Sequence, residues 1–260
     1  MKTTPEAIRG RTALVTGAGN GLGRAIALAL AAAGARVVLV GRTRSTLESV
    51  AREIAVPGGS AHVAVADTSD PAAVDSLRTG LVSEDVSILV NNAGIAGPVA
   101  PLTEVDVDDW DQVFDVNVRG VFLMCRAFLP PMIDKGRGDV INLASVSGKR
   151  PLAGRTPYTA SKMAVIGLTT TLAHEVGPMG VSVNSLSPGP VRGPRMERNF
   201  RLEAERTGTS YEDAETSFVS RAAFQRLVEE DEVGLAVVAM LQMPGLTGAD
   251  IDLSAGMVAR

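Results

Sequence analysis

The sequence predicts an α/β protein: a single doubly wound domain built on a mostly parallel, seven-stranded sheet. Short β-branched runs recur along the 260 residues, each nearly continuous in apolar residues rather than alternating, as strands covered on both faces are. The segments between them are long enough for helices. No internal repeat, low-complexity tract or linker divides residues 1–260, so one domain is expected.

The elements follow in order. TALVT at 12–16 is the first strand, and it runs into a Gly-rich turn and a helix over Leu22–Ala33. RVVLV at 36–40 precedes a helix over Thr46–Ala55, and AHVAVA at 61–66 precedes one over Pro71–Val82. VSILVNN at 86–92, DVINLAS at 139–145 and VSVNSLS at 181–187 supply three more strands, and ADIDLSAG near the C-terminus a seventh. Residues 192–226 are dense in charge and break this rhythm. They are expected to form a lid of shallow helices, with Met196, Phe200, Leu202 and Phe218 as its main large apolar anchors.

Composition excludes several classes. A net charge of −4 with no basic tract argues against nucleic acid as a partner. The single Cys125 excludes an intrachain disulfide and suits a reducing compartment. With His62 and His174 as the two histidines, little remains for a zinc site, and no metal is expected. The opening residues hold no apolar leader-like run, and no later stretch approaches 18 uninterrupted apolar residues. The expectation is a cytoplasmic protein without a membrane partner.

Strand one ends in TGAGNGLGRAIALAL, 16–30. The literal G-x-G-x-x-G is absent, but Gly17-x-x-x-Gly21-x-Gly23 opens a helix directly after a strand, the context a Rossmann-type dinucleotide site requires. Gly17 permits the tight turn, Gly21 lets backbone approach a pyrophosphate, and Gly23 allows close helix–strand packing. At the end of strand two, where an acid usually meets the ribose hydroxyls, the chain reads Gly41, Arg42, Thr43, Arg44. A guanidinium there offers charge-assisted hydrogen bonds to a 2′-phosphate, which favours NADP(H) over NAD(H). The same arginines also fit a solvated helix start.

PYTASKMA, 157–164, sets Tyr158 four residues ahead of Lys162 on one helix face. Together with NNAG at 91–94, Asn117 in DVNVRGVF, Ser145 thirteen residues before Tyr158, and SPGPV at 187–191, it resembles the classical short-chain dehydrogenase/reductase family over nearly the whole chain. The resemblance implies that Tyr158 is the general acid/base and that Lys162 assists it while holding the nicotinamide ribose hydroxyls. It implies that Ser145 bonds the substrate oxygen and Asn117 keeps a water in the proton relay. Cofactor contacts are implied at the Gly-rich turn (Gly17, Asn20, Gly21, Leu22, Gly23), at Arg42 and at Asp67. Further contacts are implied at Asn91, Ala93 and Gly94 after strand four, at Tyr158 and Lys162, and at Pro188, Gly189 and Val191. A homotetramer or homodimer is implied as well.

The chemistry needs these residue types. A free phenol titrates near pH 10, and lowering that by about 3 units takes roughly 4 kcal/mol. An ammonium at about 4 Å, in an effective dielectric near 20, supplies a similar amount. The expected function is NAD(P)-dependent hydride transfer between nicotinamide and a secondary alcohol or ketone, 3-oxoacyl-type and small carbonyl compounds included. The alternatives are a nucleotide-sugar epimerase or dehydratase, which shares Tyr-x-x-x-Lys, and a non-redox nucleotide-binding regulator. Two departures from the family pattern stand out: Gly193 where a threonine is common, and Ser254-Ala255-Gly256 where Asp-Gly-Gly is common. Lys149, Arg150 and Arg155 fit either contacts to an anionic substrate or solvated loop charges.

Overall fold

Seven β-branched runs pair side by side in the computed structural model, which describes residues 8–258. The N-terminal residues 1–7, part of the stretch read for a leader, lie outside it. The strands are β1 (Thr12–Thr16), β2 (Arg36–Gly41), β3 (Ser60–Val65), β4 (Val86–Asn91), β5 (Gly138–Leu143), β6 (Val181–Pro188) and β7 (Asp250–Leu253). Their order is 3-2-1-4-5-6-7, and every pairing is parallel. The order reverses between β1 and β4, so a crevice opens there beyond the C-terminal strand ends, where ligands bind in open α/β sheets.

Period-two alternation explains the continuous apolar runs. Ala13 and Val15 of β1 face one core, with α1 (Gly21–Ala32) and α2 (Arg44–Ala55). Leu14, between them, faces the other core, beside Val38, Leu89 and Phe128. The second core is covered by α3 (Pro71–Gly80), α5 (Gly120–Asp134) and α6 (Thr156–Val176). The edge strand β3 is only half-buried, because one of its sides lacks a neighbouring strand.

α4 (Val107–Phe114) runs through a π-helical turn (Asp115–Arg119) into α5. The combined helix, Val107–Asp134, is long and apolar enough to cross a bilayer, but it packs its apolar side on the sheet as a core helix. Its π turn carries Asn117 inward, fully buried.

The charged stretch forms α7 (Pro194–Thr207) and α8 (Tyr211–Val219), and α9 (Glu230–Leu241) then returns to the body beside α1. The excursion is closed at its base by a bridge between Val191 and Val228, in which Arg192 N donates to Val228 O and Val228 N to Pro190 O. Met196, Phe200, Ala214 and Leu227 form a small apolar cluster of their own, with Tyr211 and Phe218 edge-on to Phe200. Leu202 differs from the expectation: it is 40% exposed on the outer face of α7, and Leu227 takes its place as an anchor. The docked end also begins earlier than residue 226, since Ala222 belongs to the main core and Phe224 N bonds Ala255 O.

Of the two departures from the family pattern, the backbone accounts for Gly193 but not for Ala255. Gly193 takes φ +148°, a conformation that favours glycine over threonine, at the start of α7. Ala255 sits at φ +53°, which costs a non-glycine residue about 1 kcal/mol.

Candidate active site

The Gly-rich turn is fixed from β4. Asn92 N and Ala93 N both donate to Thr16 Oγ1, and Asn92 Nδ2 donates to Thr16 O at 2.9 Å. Gly17 turns here at φ +64°, and a Cβ on it would stand 2.9 Å from Asn92 Nδ2. A Cβ on Gly23 would come within 2.1 Å of Gly17 O, so the helix start can approach the strand end only as glycine. A Cβ on Gly21, at φ +50°, would instead meet only Glu230 Oε1, at 3.7 Å. Asn20 precedes α1 without a side-chain cap, and the first turn holds no acid, so the N-terminal N–H groups and positive potential of α1 face the cavity.

That cavity, of about 480 Å³, reaches from this turn to α7 and α8. Gly17, Asn20, Gly21, Leu22 and Gly23 line one end. Ala93, Gly94, Pro188, Gly189 and Val191 line its middle, and Ser145, Tyr158 and Lys162 converge on the same space. Ser145 closes β5 in extended backbone, and its Oγ accepts from Ser147 N at 3.1 Å. Tyr158 and Lys162 occupy one face of the first turns of α6, which opens with Pro157 in its first turn. Lys162 is 5% exposed and donates to Leu143 O at 2.7 Å, and its Nζ lies 5.9 Å from the centre of the Tyr158 ring.

Four expected site residues lie outside the cavity lining. Asn117 spends its amide on the protein: Oδ1 accepts from Ile95 N at 2.8 Å, while Nδ2 donates to Ile95 O at 2.9 Å and Ser161 Oγ at 3.0 Å. Both Nδ2 hydrogens are therefore used, and the side chain binds Ile95 to Ser161 of α6. Asn91 turns into the core, 2% exposed, donating to Asn142 Oδ1 at 2.9 Å and towards Cys125 Sγ at 3.4 Å. Burial pushes that thiol up to about 12, which makes Cys125 an inert core residue.

Arg42 and Asp67 stand together at the ends of β2 and β3, with Arg42 Nη1 at 3.9 Å from Asp67 Oδ2. Ser69 donates its hydroxyl and its backbone N–H to Asp67 Oδ1, and these bonds, with Arg42 beside them, hold the carboxyl below its usual range. Sequence order hid this: no acid follows Arg42 directly, yet the next strand delivers one.

Sequence reasoning also missed Thr16, Asn92 and Ser161. Each acts through a bond to another site element, and each lies inside a quoted motif: Thr16 in TGAGNGLG, Asn92 in NNAG and Ser161 in PYTASKMA. Of the loop cations, Lys149 is buried in ion pairs with Asp250, at 2.5 Å, and Asp252 of β7, so it does not reach the cavity. Arg150 and Arg155 do line it. Arg155 Nη2 also donates to Asn199 Oδ1 at 2.9 Å, tying α7 to the loop before α6.

The sequence matches the short chain dehydrogenase family over residues 11–205. It is 36% identical to levodione reductase of Leifsonia aquatica, over 89% of this chain and 86% of that protein. It is 38% identical to D-threitol dehydrogenase of Mycolicibacterium smegmatis, over 69% of each chain. Among solved structures, actinorhodin polyketide ketoreductase with NADPH is similar with a TM-score of 0.89 at 30% identity, covering 99% of both chains. NAD+-bound xylitol dehydrogenase gives a TM-score of 0.89 at 30% identity, over 96% of this chain and 99% of that one. The chain thus belongs to the short-chain dehydrogenase/reductase family of oxidoreductases.

Proposed function

We propose that this protein transfers a hydride between NADP(H) and a secondary alcohol or ketone, with Tyr158 passing the proton. The observation that carries the reading is that Ser145, Tyr158 and Lys162 share one cavity with the uncapped N-terminus of α1. The turn fits a dinucleotide: Gly21 leaves open the room a pyrophosphate needs, and no acid occupies the first turn of α1. When bound, the nicotinamide supplies or accepts the hydride.

The chain's own residues do the rest. Ser145 Oγ, already an acceptor from Ser147 N, has its own proton to donate to a substrate oxygen, which polarises a carbonyl. Tyr158 Oη gives that oxygen a proton in reduction and takes one in oxidation. The buried Lys162 ammonium is held in place by Leu143 O, with its charge 5.9 Å from the centre of the Tyr158 ring. Asn117 acts as a positioning residue, because it fixes both Ile95 and Ser161, one turn along α6 from Tyr158. A Cβ on Gly94 would stand 3.1 Å from Asn117 Oδ1 and 3.4 Å from Lys162 Nζ, so glycine leaves these two groups undisturbed.

Arg42 supports the preference for NADP(H) over NAD(H). It is 70% exposed and holds Asp67 only at 3.9 Å, a loose contact that a phosphate dianion can replace. Residues 192–221 serve as the lid, with the Val191–Val228 bridge as its base and Gly193 as its hinge. Exposed Phe122 on α5 and Met163 on α6 support a homo-oligomer. The epimerase and regulator readings are not favoured, since the relatives are reductases and dehydrogenases.

The test is a panel of ketones and secondary alcohols offered with each cofactor and read by reduced-nicotinamide absorbance. Stoichiometric alcohol formation with NADPH consumption is expected. Cofactor binding with no turnover of any panel member would contradict the proposal.

A further inference from the structure

Charge is distributed unevenly along the cavity. The one carboxylate that lines it among the described residues, Glu230, stands between Gly21 of the Gly-rich turn and Gly193 at the start of α7. The cations lie elsewhere, and four of the five have evident partners. Lys162 is bonded to Leu143 O, Arg155 to Asn199, and Arg192 to Glu229 and Glu215, while Arg221 stacks on Phe218 with its guanidinium 5.3 Å from the ring centre. Arg150 is different. It is half-buried in the cavity wall, and among the described residues no side-chain hydrogen bond or ion pair engages its guanidinium.

Its backbone is nevertheless held firmly. Arg150 N donates to Val146 O at 2.9 Å, and the preceding Lys149 is anchored in its buried pairs with Asp250 and Asp252. A half-buried guanidinium has given up part of its hydration, and an anion that meets it offsets that loss. Arg150 lies in the loop between Ser145 and Tyr158, so a substrate held by its carbonyl oxygen at those two residues would extend along this wall. Leu152 and Met196 line the same end of the cavity and offer apolar cover to the body of such a molecule.

We infer that Arg150 is a specificity-determining residue and that the substrate is a carbonyl compound with an apolar body and an anionic group, which Arg150 binds. The inference rests on the hydride-transfer reading and names the class of compound that reading leaves open. The shared chemistry is an oxyanion; a carboxylate and a phosphate monoester are its two sources. A planar guanidinium takes either through paired hydrogen bonds.

Two matched pairs test it: levulinate against methyl levulinate, and the phosphate monoester of 5-hydroxypentan-2-one against 5-hydroxypentan-2-one itself. Binding is measured by calorimetry on Tyr158→Phe protein with NADPH, where no turnover competes, and kcat/KM is measured on the wild type. At least one anionic member should bind about 10-fold or more tightly than its neutral mate. Arg150→Met should bring that ratio to about one, and Arg150→Lys should recover part of it. The pair that shows the preference identifies the anion. Equal affinities within both pairs, or a loss in Arg150→Met shared equally by charged and neutral members, would overturn the inference. Turnover of the neutral ketones without anion preference refutes this inference alone. Selective anion binding without turnover of any pair refutes the hydride-transfer reading and leaves the anion site standing.

Discussion

At the Gly-rich end of the cavity the backbone itself forms the wall, whereas at the lid end the wall is made of side chains on a separate excursion. The first end is fixed by Gly17, Gly23 and the Thr16–Asn92 bonds, which join β1 to β4 in the centre of the sheet. The second rests on α7 and α8, whose apolar cluster is distinct from both main cores and whose base is a single bridge. A dinucleotide presents much the same phosphates and ribose everywhere, so a rigid backbone cradle suits it. A substrate must enter and leave, and an element with its own small core can open without disturbing the sheet. Tyr158 stands where the two ends meet.

That contrast can be broken at three points. The largest effect is expected at the junction. Tyr158→Phe keeps the ring and removes the transferable proton, so kcat should fall by roughly 10²–10⁴-fold while NADPH affinity stays nearly constant. A variant with half the wild-type turnover would remove Tyr158 from the chemistry. At the dinucleotide end, Arg42→Ala should weaken NADPH by about 1.5 kcal/mol, roughly 10-fold, and leave NADH little changed. Because Arg42 is largely exposed, solvent keeps the effect near the low end for charged hydrogen bonds. Equal losses for both cofactors, or a wild-type preference for NADH, would contradict the assignment.

The smallest effect tests the lid. Exposed Arg198, Arg201 and Arg206 on α7 offer trypsin its cutting sites. Protein without ligands should be nicked there first, and cofactor with a substrate analogue should slow the cut several-fold. Asn199→Ala, which removes the acceptor of Arg155, should speed cutting of the ligand-bound form by about 2–5-fold, as one lost hydrogen bond would. First cleavage elsewhere, or rates indifferent to ligand, would show that the two ends do not differ in mobility.

The same contrast explains what was legible in the sequence. Strand positions were readable because burial on both faces demands unbroken apolar runs, and the Gly-rich turn was readable because its backbone admits only glycine. Ser145, Tyr158 and Lys162 were readable because their spacing places them at one strand end and one helix face. The Arg42–Asp67 pair was not, since it joins the ends of β2 and β3 across 25 positions. Nor was the fate of Asn117, whose amide is consumed by Ile95 and Ser161 because a π turn carries it inward. In the lid, a count of large apolar residues chose Leu202. Helical phase instead buries Met196 and Phe200, four apart, and turns Leu202 to solvent.

The most direct measurement follows the hydride itself. NADPH carrying deuterium at the transferable C4 position is incubated with the enzyme and a ketone that it reduces, and the alcohol is analysed by mass spectrometry. One deuterium on the carbinol carbon is expected, delivered from one face of the nicotinamide, with the hydroxyl proton coming from solvent through Tyr158. Alcohol formed without label, or label left entirely on the cofactor while substrate is converted, would contradict hydride transfer as the function of this site.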